Sequence, residues 1–190
     1  AALPTTASAW SPKGNELARI VTDQMGGTRL EIINLSNWDS RIIFDRPGIT
    51  ALSWTKTDEL LVAEGPRLIS INLSEETIFT EFEWETASNF LLYGSDDFYP
   101  SIVHISCLEE KRVIEVKWHR EGKTAISSIY QWLESDLSHM SKLDSHRHPI
   151  LLSNQQMLLS TEDGIVVANY KGERLWFRQI PGLISAVPFL

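Results

Sequence analysis

Arg29-Leu30-Glu31-Ile32-Ile33-Asn34-Leu35-Ser36 returns as Arg67-Leu68-Ile69-Ser70-Ile71-Asn72-Leu73-Ser74. Each copy precedes a polar turn and a second apolar run, Arg41-Ile42-Ile43-Phe44 in one case and Thr77-Ile78-Phe79 in the other. Each also follows a strand-like segment marked by a tryptophan, Trp10 and Trp54. Self-similarity at about 40 residues, built from short strands, marks a repeat architecture in which one unit cannot bury its own apolar face.

The first unit reads as strands at 6–11, 16–23, 29–35 and 40–45, joined by Pro12-Lys13-Gly14-Asn15, Met25-Gly26-Gly27 and a third turn. Proline fixes φ and glycine is free to take positive φ, so these are turn signals with a mechanism. The second unit repeats the order at 49–54, 59–64, 67–73 and 77–84. A further copy reads as strands at 150–152, 157–161, 165–170 and 174–179, after which Pro181-Gly182-Leu183-Ile184 echoes Pro47-Gly48-Ile49-Thr50. The unit between is the most degenerate, with strands expected at 89–93, 101–108, 112–118 and 125–132. A polar, loop-like tract, 134–149, follows it, and 131–143 reads alternatively as a short helix.

The expected fold is therefore all-β, a β-propeller of about four four-stranded antiparallel blades. The approximate blades are 6–46, 47–86, 87–145 and 146–181, and 182–190 is an extra terminal strand. A β-sandwich also shows short strands at even spacing, but internal repetition favours the propeller. Four blades and the first strand of a fifth imply a part of a larger ring, or a terminal strand that closes the ring on the N-terminal region or docks on a second copy. The opening Ala1-Ala2-Leu3-Pro4, with no methionine, reads as the start of a piece of a longer protein.

The stretch Ala9-Trp10-Ser11-Pro12-Lys13-Gly14-Asn15-Glu16-Leu17-Ala18, with Gly27 and then Leu30 to Leu35, resembles the TolB-type (PD40, WD40-like) propeller repeat. In that family a Trp-Ser-Pro-(Asp/Asn)-Gly phrase, a Leu-Ala strand and an Ile/Val-x-(Asp/Asn)-Leu strand succeed one another. The first blade fits nearly throughout, with Lys13 in place of the usual residue. The second keeps Trp54 and Asn72-Leu73 but has Thr55-Lys56-Thr57-Asp58 for the turn, and the fourth keeps only Asn169. Such propellers serve periplasmic translocation proteins, accessory domains of prolyl-oligopeptidase-like peptidases, and sensor domains of membrane-anchored regulators. Fold alone does not choose among them.

The net charge of −8 argues against nucleic acid, which needs a basic stripe to displace counterions, and against docking on an anionic membrane. No apolar stretch approaches the roughly 20 residues of a spanning helix, so no membrane insertion is expected. No Gly-x-Ser-x-Gly elbow is present, and Gly94-Ser95-Asp96 reads as a loop. His146-Arg147-His148 places two imidazoles on one strand face, but a solvated loop is the better reading, and Asp96-Asp97 lacks the alternating acidic pattern of a calcium loop. Asn34-Leu35-Ser36 and Asn72-Leu73-Ser74 match the glycosylation triplet, yet asparagine capping its own turn explains their recurrence. Cys107, the one cysteine, reads as a small buried hydrophobe, and Trp10 and Trp54 as matching inter-blade core.

No catalytic, cofactor or metal residue is thus assigned. The expectation is a non-enzymatic binding or sensing propeller whose partner is a protein or a small ligand. The resemblance gives it one concrete form, the extracytoplasmic (periplasmic) sensor domain of a membrane-anchored bacterial transcription regulator. The alternative is an accessory or gating propeller of a serine-peptidase-type hydrolase.

Overall fold

The computed structural model describes residues 5–56, 58–83, 99–119, 126–133, 136–143, 146–153 and 155–180. They form four four-stranded antiparallel sheets, each with its strands in chain order. The first sheet holds β1 (Thr5–Trp10), β2 (Glu16–Thr22), β3 (Thr28–Asn34) and β4 (Ser40–Asp45). The second holds β5 (Ile49–Lys56), β6 (Glu59–Glu64), β7 (Arg67–Asn72) and β8 (Thr77–Glu83). The third holds β9 (Tyr99–Leu108), β10 (Lys111–His119), β11 (Ile126–Leu133) and β12 (Asp136–His139). The fourth holds β13 (Arg147–Ser153), β14 (Gln156–Ser160), β15 (Gly164–Asn169) and β16 (Arg174–Gln179). Two compact units divide the chain, 1–103 and 104–190, with the boundary inside β9.

Turn chemistry fixes the meanders. Gly14 sits at φ 69°, a left-handed position that side-chain-bearing residues avoid, and its N–H closes the turn on the Ser11 carbonyl at 2.8 Å. At the β3 and β7 ends Asn34 and Asn72 act as the repeat requires. The Asn34 side-chain oxygen accepts from the Ser36 N–H and hydroxyl, and that of Asn72 accepts from the same two groups of Ser74. Asn169 repeats the device at the end of β15, accepting from the N–H groups of Lys171 and Glu173. These three asparagines put the central strands of the first, second and fourth sheets in one register.

In the first unit, strand alternation divides the side chains between two faces. Ala18, Ile20, Leu30, Ile32 and Phe44 of the first sheet meet Ile49, Leu52, Trp54, Leu60, Val62, Ile69 and Ile71 of the second in one apolar core. Trp54 lies across the seam, and its indole N–H donates to the Ala9 carbonyl of β1 at 3.0 Å. Trp54 is 6% exposed, as its place in the repeat requires. Trp10 is 63% exposed, which overturns the expectation that the two tryptophans are buried alike. The cause is positional. Trp10 stands on the first sheet where Trp54 stands on the second, but its face is turned away from the second sheet and the side chain is open.

In the second unit, Val113, Ile129, Met140 and Leu143 pack on Leu151, Met157, Leu159, Val166 and Ala168 of the fourth sheet. Three expectations are corrected here. β12 and the adjoining 3-10 turn Ser141–Leu143 lie in the tract read as a polar loop. The helix read at 131–143 gives way to strands, because Tyr130 and Trp132 share one buried face at a spacing of two and pair with His139 and Leu137 of β12. His148 belongs to β13 and is not in a solvated loop. Cys107 lies in β9 and is partly buried. The strand expected at 89–93, Asp96-Asp97, Trp84 and the terminal strand 182–190 lie outside the described residues.

Candidate functional site: a lateral groove and a buried polar cluster

In the first unit, the outer strands diverge and leave a groove of about 340 Å³ between the first two sheets. Arg41, Ile42 and Ile43 of β4 form one wall, and Ile71, Asn72, Leu73, Glu76 and Ile78 form the other. Alternation on β4 sends Ile42 out of the core, so that it is 56% exposed, and Ile78 on β8 is 46% exposed. Arg41 also borders a second hollow, shared with Glu16, Ile32, Asn34, Asn37 and Asp39. Glu76 is held at φ 52° where the β7–β8 turn reverses. The groove is thus a mixed trough in which aliphatic side chains alternate with Asn72, with a cation on one wall and a carboxylate on the other.

The second unit holds a cluster that sequence reasoning missed. Glu115 stands in the apolar run Val113-Ile114-Glu115-Val116 of β10 and is 1% exposed. Its Oε2 accepts the His148 N–H of β13 at 2.8 Å, with the His148 ring Nδ1 4.0 Å away, while Oε1 has no hydrogen-bond partner among the described residues. His104 on β9 lies edge-on to His148, ring centroids 5.6 Å apart. Its Nε2 is 3.1 Å from the Pro149 carbonyl, which can only accept, so the hydrogen resides on Nε2. Two residues along β9, the Ser106 hydroxyl accepts the Leu151 N–H at 3.0 Å.

Burial pushes the His104 imidazole down to about pH 4, helped by His148 and opposed by Glu115 and by the bond to Pro149. His148 takes φ 51°, a conformation costly for a residue with a side chain and sustained here by the Glu115 bond. Chemically the cluster serves the backbone of β13, Glu115 and Ser106 accepting from N–H groups and His104 donating to a carbonyl, where the pairing of β13 with β14 is irregular between Arg147 and Ile150. Of the residues weighed for metal from sequence, His148 joins this cluster and His146 lies just before β13. Among the described residues, no three His, Cys, Asp or Glu side chains are placed to share a metal ion. Lone Glu115 in an apolar run was the available signal of a buried charge.

No protein-family model matches the chain, and no curated protein matches it in sequence. Solved structures do match in fold. A puromycin hydrolase mutant bound to a ligand aligns over 95% of this chain and 30% of its own, at 14% identity and a TM-score of 0.59. TolB from Acinetobacter baumannii aligns over 90% of this chain and 53% of its own, at 13% identity and a TM-score of 0.51. The β-propeller domain of the Trilobed protease from Pyrococcus furiosus, described as having an open velcro topology, aligns over 93% and 68%, at 13% identity and a TM-score of 0.50. At such identities the likeness bears on fold alone. The chain spans about half the length of TolB and under a third of the hydrolase, and it is built on the TolB-type β-propeller fold.

Proposed function

We propose that the chain is a binding propeller whose lateral groove takes an extended apolar peptide segment bearing a carboxylate from another protein. The groove itself carries this reading. Two isoleucines stand open beside Arg41, which makes no ion pair among the described residues, in a chain with net charge −8. A carboxylate on the partner meets Arg41, while exposed Ile42 and Ile78 supply apolar contact. Within a larger polypeptide this suits a docking or sensing domain, and the extracytoplasmic sensor of a membrane-anchored bacterial regulator is its most concrete form.

The test is a screen of short apolar peptides with free C-termini, followed by amide chemical shifts. Binding that perturbs Ile42 and Ile78, and that is lost in Ile42→Glu and in Arg41→Glu, supports the reading. Peptides that bind elsewhere, or with no response to either substitution, overturn it.

The second reading, an accessory propeller of a hydrolase, is favoured by the likeness to puromycin hydrolase and to the protease propeller domain. An α/β-hydrolase domain encoded beside this segment in the full-length gene product would select it, and a winged helix with a spanning segment would select the sensor. Under either reading the segment itself is proposed to be non-catalytic. Stoichiometric labelling of one of its serines by a fluorophosphonate probe would defeat that claim.

A further inference from the structure

In the second unit, β12 and the 3-10 turn Ser141–Leu143 form one side of a hollow of about 180 Å³, and Tyr170 and Lys171 of the β15–β16 turn form the other. The lateral groove of the first unit is built from the same parts, an outer strand of one sheet and the turn after the third strand of the next. Its lining is different. Ser138, His139, Ser141, Lys142 and Lys171 border the hollow of the second unit, and its apolar share is confined to Met140 and the Tyr170 ring. Among the described residues, no carboxylate lines it.

The cations stand where the other repeats are neutral. The asparagine register sets Tyr170-Lys171 against Leu35-Ser36 and Leu73-Ser74. Ser36 and Ser74 give their hydroxyls to the capping asparagine, whereas Lys171 gives Asn169 only its backbone N–H, at 3.0 Å. Its side chain is left for the hollow. Glu173 is turned to the cap instead, its Oε2 accepting from Asn169 Nδ2 at 2.7 Å. Gly172, at φ 72°, lets Lys142 abut this turn, since a Cβ there would lie 2.8 Å from the Lys142 Cβ. The Tyr170 hydroxyl donates to the Ser153 carbonyl at 3.2 Å, and the Lys111 ammonium lies 4.4 Å from the Tyr170 ring centroid.

Cations on the first sheet are settled differently, for Arg19 Nη2 and Arg29 Nε clasp the Glu31 carboxylate. Lys142 and Lys171 make no ion pair among the described residues, in a chain whose net charge is −8. Two like charges bordering one hollow repel each other, and an anion seated between them relieves that repulsion and attracts both. The volume is well under the roughly 300 Å³ at which sites for drug-sized ligands begin, so the occupant is small. A tetrahedral oxyanion offers acceptor oxygens in several directions, which suits ammonium and hydroxyl donors on both sides of the hollow. A nucleic-acid strand needs a basic stripe, which two lysines do not make.

We propose that this hollow binds a small phosphoryl group, as inorganic phosphate or a soluble phosphomonoester. Lys142 and Lys171 neutralise its charge, and the hydroxyls of Ser138 and Ser141 donate to its oxygens. The site is separate from the lateral groove and stands independently of the function proposed for it.

The test titrates the full chain with inorganic phosphate and with glycerol 3-phosphate at constant ionic strength, near about pH 7.5 where a phosphomonoester is largely dianionic. Amide chemical shifts are followed. Saturating shifts centred on Ser141, Lys142 and Lys171 are expected, and the double variant Lys142→Gln, Lys171→Gln should raise the midpoint by about tenfold or more. Lys13→Gln, which removes a like charge from a turn of the first sheet, should leave the midpoint unchanged. Should the double variant lose its fold, Lys171→Gln alone, on an exposed turn, carries the same test. Shifts that stay linear in phosphate, that acetate reproduces at equal concentration, or that survive the lysine substitutions overturn the proposal. Equal weakening by Lys13→Gln overturns it too, as does binding to vesicles carrying phosphatidic acid with none to either soluble anion.

Discussion

The seam between the first and second sheets and the seam between the third and fourth join neighbouring sheets by different chemistry. The first is apolar, crossed by one large side chain, Trp54, whose single polar atom finds the Ala9 carbonyl. The second sets an apolar core beside a polar stitch, in which His104, Ser106 and Glu115 reach backbone groups of β13. An apolar seam depends on volume and is indifferent to pH. A seam with a buried imidazole depends on the protonation state of that ring.

The sharpest way to break the comparison is Trp54→Ala, which removes the largest side chain crossing the first seam and should destabilise the first unit by about 3–5 kcal/mol. Trp10→Ala, on an open face, should cost under about 0.5 kcal/mol. Urea denaturation of both variants checks the pair, and similar losses would erase the distinction between covered and uncovered sheets.

Next comes acid. The His104 ring titrates near 4 in the fold, below its ordinary 6.5, so the folded chain resists its protonation. The neutral ring's contribution is complete above pH 6.5 and is lost as pH falls from 6.5 to 4, amounting to about 1–3 kcal/mol. His148 and Glu115 face this ring with opposite effects on it. Denaturation at pH 7 and pH 4.5 should show the second unit weakening and His104→Phe flattening that dependence, with no such change in the first unit from this source.

Glu115→Ala should cost about 1–3 kcal/mol, because it leaves the buried His148 N–H without an acceptor. Glu115→Gln keeps an acceptor and removes a buried charge, so it should cost well under half as much. The smallest effect belongs to the caps. Asn34→Ala removes two local hydrogen bonds and Asn72→Ala three, the third a longer one of 3.2 Å from the Glu75 N–H, and each should cost about 1 kcal/mol at its turn. Calorimetry that separated the two turns by more than twofold would break their equivalence.

The turns and the strands they join were legible because their signals are local. Gly14 and Asn34 state their conformation within four residues, and the apolar runs of β2, β3, β6 and β7 repeat in one chain. Trp10 misled for the opposite reason. Its own sequence phrase matches the repeat well, but burial is decided by a neighbouring sheet that no local phrase encodes. The polar cluster was hidden by separation, since Glu115 and His148 meet across 33 residues in the most degenerate part of the repeat. β12 was missed because Asp136-Leu137-Ser138-His139 is polar in composition, and its pairing with β11 overrides its propensity.

The Arg19–Glu31–Arg29 clasp has a consequence for populations of this chain in solution. An apolar sheet face open on one copy is a seat for an apolar surface of another, and a contact of that kind that does not close on itself grows without limit into fibres. Arg19 Nη2 and Arg29 Nε hold the buried Glu31 carboxylate at 2.8 and 2.7 Å, and seating an apolar sheet against them would strip water from two guanidinium groups that are about a third exposed. Arg19 and Arg29 therefore make their part of the first sheet a costly seat for a second apolar surface.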